Sequence, residues 1–312
     1  MLLDEHHVQL ALDEAVAQAR TITDGTPASY IPELAHVPPE STSAAVVLVD
    51  GRQFVAGDAE QHRFTLQSSA KLIILAGLLE DIGAAEVFSI VGAEPTGASF
   101  ASIARLETHG PIPANPLVNS GSIALCSRVP GTFEERLGWL ERWTERLCGT
   151  RLMVNQRVLA SERRTGDRNR AIAHLLKHNR VITSNVEDVL ELYFILCSFD
   201  ATVREAAHLS AVLASGGMSP TSRQRVLSPD SAASVVSLMA TCGMYDESGT
   251  HLLHTGLPAK SGVSGVIVAV APGRAGIAVA SPRVNAKGGS VRGHAMLSQL
   301  SRRLHWHFAL PG

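Results

Sequence analysis

Residues 64–80 read FTLQSSAKLIILAGLLE, and the fold turns on what this junction is. FTLQ looks like the end of a strand, and an apolar helix is expected over 69–82. Two serines sit between them, with a lysine one turn in. Positions i and i+3 of a helix share a face, so Ser68 and Lys71 can meet whereas Ser69 and Lys71 cannot. A serine hydroxyl is a poor nucleophile without a base. An amine with an ordinary pKa near ~10.4 is neutral about once in ~2,500 at pH 7, a deficit of about 4.6 kcal/mol. Burial or a neighbouring cation lowers that deficit, and the helix start offers N–H groups to an oxyanion. Taken alone, Ser-x-x-Lys reads as an N-capping serine and a solvated lysine.

Composition changes that weight. The chain holds four lysines, Lys71, Lys177, Lys260 and Lys287, and otherwise uses arginine for positive charge. Arginine cannot serve as a base at neutral pH, so a retained lysine points to a need for the amine itself. Lys260 opens a KSG triplet just before a strand-like run. Ser-x-x-Lys on a helix followed by a late Lys-Ser/Thr-Gly on a strand is the motif pair of serine β-lactamases and penicillin-binding proteins. That order turns the reading towards acyl transfer.

Working outward, AAVVLVDGRQFVAGD reads as a hairpin turning at Asp50-Gly51. VSGVIVAVAP and AGIAVASP read as two late strands joined at Pro-Gly, and helices are expected over about 6–22 and 293–307. Between lie helical patterns such as FEERLGWLERWTERLC, and VREAAHLSAVLASGG stops at its paired glycines. The expected fold class is therefore α+β. An antiparallel sheet is built from both ends of the chain (about 1–82 and 226–312) and flanked by terminal helices, with an all-helical subdomain inserted at about 83–225.

The bulk properties narrow the function. The chain has 312 residues, 45% hydrophobic and 18% charged, as in one globular catalytic domain. A net charge of −2 gives no basic surface for nucleic acid or an acidic membrane. The apolar runs are too short to span a bilayer. The amphipathic, acidic N-terminus lacks the form of a signal peptide, so a cytoplasmic location is expected. Cys126, Cys148, Cys197 and Cys242 show no metal-like spacing and are expected to be buried, reduced thiols. His251 and His254 have no third ligand in the sequence, so no metal is expected.

The blocks SYIPELA, QSSAK, EPTGASF, NPLVNSGSIAL, SERRTGDRNRAIA, LYFILCSF, CGMYDESG, GLPAKSGVSGVIVAV and GGSVRG occur in this order from about Tyr30 to Gly293. Together they closely resemble the serine-dependent glutaminases, a family on the β-lactamase/transpeptidase-like fold. The resemblance implies hydrolysis of L-glutamine to L-glutamate and ammonia through a Ser68 acyl-enzyme, with Lys71 as general base and no cofactor. It implies a glutamine pocket of Tyr30, Ser68, Asn119, Glu162, Asn169, Tyr193, Tyr245 and Val263. Within it Tyr245 shares proton transfer, Val263 and Ser68 offer backbone N–H groups to the oxyanion, and Lys260 adds a positive field that eases deprotonation of Lys71. It also implies a homodimer or homotetramer, with no nucleic-acid or membrane partner. Two stretches depart from the usual pattern: the small residues between serine and lysine in QSSAK, and the approach SPRVNAK to the last block.

The residue types suit that substrate. A buried glutamate can hold the ammonium of an amino acid, and asparagine and tyrosine can hold its carboxylate. The chain's three tyrosines, Tyr30, Tyr193 and Tyr245, all fall on the implied positions. Outside this pattern Glu162 reads as a surface carboxylate among arginines, and Asn119 and Asn169 as turn or capping residues. Arg168, Arg170 and Arg292 read as members of structural ion pairs. The rival readings are a non-catalytic glutamine-binding protein and a β-lactamase or peptidase of the same fold.

Overall fold

The computed structural model describes residues 4–29, 31–97 and 101–310. Among these, eight strands form two sheets, both antiparallel. In chain order they are β1 (Ser43–Leu48), β2 (Gln53–Gly57), β3 (Phe64–Thr65), β4 (Met153–Val154), β5 (Phe199–Ala201), β6 (Ala259–Ser261), β7 (Val266–Ala271) and β8 (Ala275–Ala280). The larger sheet runs β2-β1-β8-β7-β6. The early hairpin and the late hairpin thus meet, with Val46 opposite Ile277. The protein is of mixed α/β class with antiparallel sheets.

The larger sheet is covered on both faces, which is why β1, β7 and β8 read as unbroken apolar runs rather than as alternating ones. Period two still sorts the side chains. Ala45, Val47, Val266, Val268 and Val270 enter one core. Ala44, Val46, Leu48, Ile267 and Ala269 enter the other, together with the helices Glu5–Arg20 and Val291–Leu304. The helix Val203–Ala214, inside the stretch read as the helical part, packs on the first face against β8, β1 and β7.

The smaller sheet, β3-β5-β4, is not legible as a sheet in the sequence. Its strands have two or three residues, too short to show periodicity, and β5 follows directly on an apolar helix, Val186–Cys197. The sheet has a positioning effect. Phe64 pairs with Ala201, and the Leu66 N–H donates to the Phe199 carbonyl at 2.8 Å. The segment entering QSSAK is therefore tied to the helix that carries Tyr193. No helix among the described residues is long and apolar enough to cross a membrane.

Candidate active site

The QSSAK junction is a 3₁₀ turn, Gln67–Ala70, leading into the helix Lys71–Asp81. The turn distinguishes the two serines. The Ser69 hydroxyl is buried and donates to the Leu66 carbonyl at 2.6 Å, so it closes the turn. Ser68 is half-buried and faces a cavity of about 330 Å³. Gln67, just before it, has φ +49°, in the left-handed region that a side chain rarely adopts. Tyr245 has φ +56° and is hydrogen-bonded to Ser68 through its phenol. Such strained conformations persist only where the surroundings enforce them, and they gather at working sites.

Two backbone-on-backbone contacts do the enforcing. A Cβ on Gly262 would lie 2.6 Å from the Leu66 carbonyl oxygen. The KSG glycine therefore admits the chain that precedes Ser68, a closer constraint than room for a ligand. A Cβ on Gly243 would lie 1.8 Å from the Ala259 oxygen, which presses the Tyr245 turn onto β6. Ser68, Tyr245 and β6 are thus held in one block.

Both site lysines are fully buried. The Lys71 Nζ donates to Asn119 Oδ1 at 2.7 Å and to the Leu117 carbonyl at 3.3 Å. Burial brings its pKa down to about 8, with Cys197 and Glu162 pulling the other way. The Lys260 Nζ donates to the Ser261 carbonyl at 2.7 Å and stands 4.1 Å from the centre of the Tyr245 ring; Lys71 stands 5.8 Å from it. Burial, then repulsion from Lys71, drives Lys260 well below the ordinary ammonium value. The two buried ammonium groups disfavour each other's charge, and burial lowers both from the ordinary ammonium value.

The remaining groups converge from four helices. Asn119 opens the helix Asn119–Cys126 and bridges Lys71 to Asn169, its Nδ2 donating to Asn169 Oδ1 at 2.9 Å. Glu162, on the helix Gln156–Thr165, is buried, and burial raises its pKa to about 7 despite a hydrogen bond with Gln67 and the charge of Lys71. Tyr193 is buried, is hydrogen-bonded to Cys197, and has its phenol pushed well above the usual range by burial. Ser68, Asn119, Glu162, Asn169 and Tyr193 all line the same cavity. Burial also pushes the Tyr245 phenol upward, which favours a neutral hydroxyl over a phenolate base.

Val263 follows β6. Among the described residues, neither its N–H nor that of Ser68 donates to a backbone carbonyl. Tyr30 lies outside the described residues. Ile31, next in the chain, packs with Leu34, Val158 and Val263.

Sequence reasoning passed over several cavity groups. Gln67 is hydrogen-bonded to Glu162 and donates to Thr65 Oγ1 at 3.2 Å; its place directly before the serine was the available signal. Cys197 lines the cavity and burial raises its thiol to about 12. All four cysteines are free and buried. Arg168 also lines the cavity and donates to the Ala101 carbonyl at 2.6 Å; among the described residues it has no ion pair, which corrects its structural reading. Arg170 and Arg292 do form ion pairs, with Asp167 and Glu40. His251 meets His294 rather than His254, Nδ1 to Nδ1 at 3.1 Å. Among the described residues no group of three His, Cys, Asp or Glu side chains could hold a metal.

The Glutaminase family profile matches residues 25–308, which include every block that builds this cavity. The chain belongs to the glutaminase family. It is 50% identical over 300 residues to a glutaminase of Legionella pneumophila (strain Paris), covering 96% of this chain and 97% of that one. Its fold is similar to the solved structure of a family protein described as probable glutaminase ybaS, with TM-score 0.96, 37% identity, and 99% and 100% of the two chains covered. It is also similar to Mglu in its glutamate form, with TM-score 0.94 and 34% identity, covering 99% of this chain and 71% of that one.

Proposed function

We propose that this member of the family hydrolyses L-glutamine to L-glutamate and ammonia through an acyl-enzyme on Ser68. The observation that carries the reading is one cavity with a serine hydroxyl at its wall, a buried carboxylate and a paired-amide network. Glutamine presents an ammonium and a carboxylate at one end and an amide at the other. Glu162 receives the ammonium, and its ionisation is favoured as that cation enters. Asn119, Asn169 and Tyr193 receive the carboxylate.

Lys71 takes the Ser68 proton. With its pKa near 8, having the amine neutral at pH 7 costs about 1.4 kcal/mol. Ser68 Oγ adds to the γ-carbonyl carbon, and the N–H groups of Ser68 and Val263 stabilise the oxyanion. The C–N bond then breaks as the nitrogen takes a proton from the Tyr245 phenol, which regains one from the Lys71 ammonium, so that Tyr245 is neutral and Lys71 is again a free amine. Water hydrolyses the ester and restores Ser68. Lys260 fixes the Tyr245 ring by its position over the face.

The same reading assigns the architecture to the β-lactamase/transpeptidase-like class. It is supported by Ser-x-x-Lys at a helix head beside an edge strand that carries Lys-Ser-Gly. In that scheme the α/β part is 1–82 with 226–312, and the helical part is 83–225.

The test is ammonia release from L-glutamine by the purified wild type and Ser68→Ala, with L-asparagine and D-glutamine as controls. The expected result is turnover of L-glutamine that Ser68→Ala loses while still binding the substrate in calorimetry. A Ser68→Ala enzyme that turns over would sink the mechanism. Binding without release by the folded wild type would leave a glutamine-binding protein.

A further inference from the structure

The helices Pro32–Ala35 and Gln156–Thr165 pack together, and Ile31, Leu34, Val158 and Val263 form a small apolar core across their contact. Glu33 and Arg157 are the chain neighbours of Leu34 and Val158. Both line a cavity of about 980 Å³ that shares no wall residue with the one at Ser68. We propose that this cavity is an effector site for a free α-amino acid with an apolar side chain, and that its occupation tightens the hold on Val263.

The charges on the wall decide the ligand class. Two of the four charged wall residues are neutralised by partners: Asp58 pairs with Arg20 at 2.8 Å, and Arg63 with Asp200 at 3.2 Å. Glu33 and Arg157 form no ion pair among the described residues. The Ser161 hydrogen bond first, then the charges of Arg164 and Arg157, hold the Glu33 carboxyl below the usual carboxylate range. The wall thus keeps one carboxylate and one guanidinium to spare. A simple cation would be repelled by Arg157 and a simple anion by Glu33. A zwitterion satisfies both, its ammonium at Glu33 and its carboxylate on the planar fork of Arg157.

A second observation points to a ligand. His62, on the same wall, is 6% exposed, and its Nε2 has no hydrogen-bond partner among the described residues. Its Nδ1 lies 3.0 Å from Ser43 Oγ, and burial favours the uncharged ring. With Nδ1–H given to Ser43, Nε2 is left as an acceptor for the ammonium. Buried polar atoms are nearly always partnered, so an orphan on a cavity wall calls for a donor from outside. Pro32, Val37 and Pro38 supply apolar surface for the side chain. The volume falls within the roughly 300–1,000 Å³ of small-molecule sites.

A ligand that bridges Glu33 and Arg157 ties the two helices together around Leu34, Val158 and Val263. The link to activity rests on the reading above, in which the Val263 N–H holds the oxyanion; the binding itself does not.

The test is calorimetric titration of the purified full chain with L-leucine, beside turnover of L-glutamine with and without it. L-Leucine is expected to bind the wild type and Glu162→Gln alike. Arg157→Ala is expected to weaken binding about tenfold or more, the loss of one charge-assisted contact, and Glu33→Gln serves as the second variant. Saturating L-leucine is expected to raise kcat/KM for L-glutamine about fivefold in the wild type and not in Arg157→Ala. Binding lost in Glu162→Gln but kept in Arg157→Ala and Glu33→Gln would put L-leucine in the glutamine cavity and overturn the proposal. Absence of binding to the folded wild type up to about 10 mM would overturn it as well. The expected binding pattern with unchanged turnover would overturn the link to Val263 and keep the site. If L-glutamine is not turned over at all, the glutamine reading fails, and the calorimetry still decides the site.

Discussion

Two fully buried cations on opposite sides of the large sheet are held in opposite ways. Arg292 heads the C-terminal helix and is saturated. Its guanidinium reaches Glu40 Oε2 at 2.6 Å, the Ile22 carbonyl at 2.8 Å, the carbonyls of Arg20, Pro39 and Glu40, and Thr42 Oγ1. Lys71 heads the helix on the other face and has one carbonyl and one amide oxygen. Both lose their hydration, but only Arg292 has it replaced by a carboxylate and a full ring of acceptors. Its partner Glu40 is held at about 2 by Arg283 and Arg292, while Lys71 is drawn down to about 8. Complete satisfaction suits a structural cation; sparse satisfaction suits the base that the proposed mechanism assigns to Lys71.

The strongest way to break this contrast is Lys71→Arg. It keeps a cation at the helix head and removes the proposed base, so kcat is expected to fall by roughly 10²–10⁴-fold. Near-wild-type turnover would show that charge, and not basicity, is what position 71 supplies. Arg292→Ala should do the reverse. It strips several buried oxygens of their donor and is expected to cost about 3 kcal/mol, roughly a hundredfold in the folding equilibrium, with kcat per folded molecule unchanged. Chemical denaturation beside active-site titration separates the two effects, and a kcat loss without a stability loss would contradict the structural role.

The mildest effect is in the pH profile of kcat/KM. The proposed mechanism requires a neutral Lys71 amine, favoured above about 8, and a charged Glu162, favoured above about 7. Both requirements are deprotonations, so activity rises with pH, by about tenfold between pH 7 and 8, and then levels. A profile flat from pH 6 to 9 would place the base elsewhere.

The parts of this contrast were unequally legible in the sequence. The hairpin at Asp50-Gly51 and the late pair VIVAVA and AGIAVA showed through because strand composition and turn residues coincide there. Ser68 and Lys71 showed through because the chain has so few lysines. The 3₁₀ turn at Gln67–Ala70 did not, since four residues carry no periodicity. The small sheet was hidden for the same reason. The hydrogen bond between Gln67 and Glu162, and the place of Arg168 on the cavity wall, join residues about a hundred positions apart, a distance that no local pattern encodes.

The contacts at Gly243 and Gly262 have a genetic reading. Any single-base change that converts a glycine codon to another amino acid adds a Cβ, and at these two positions that atom would clash with a main-chain oxygen. Neither site has a conservative neighbour in codon space. In a library of random missense variants, both positions should be recovered as glycine among active clones, far more strictly than the nearby Ser69, whose hydroxyl only closes a turn.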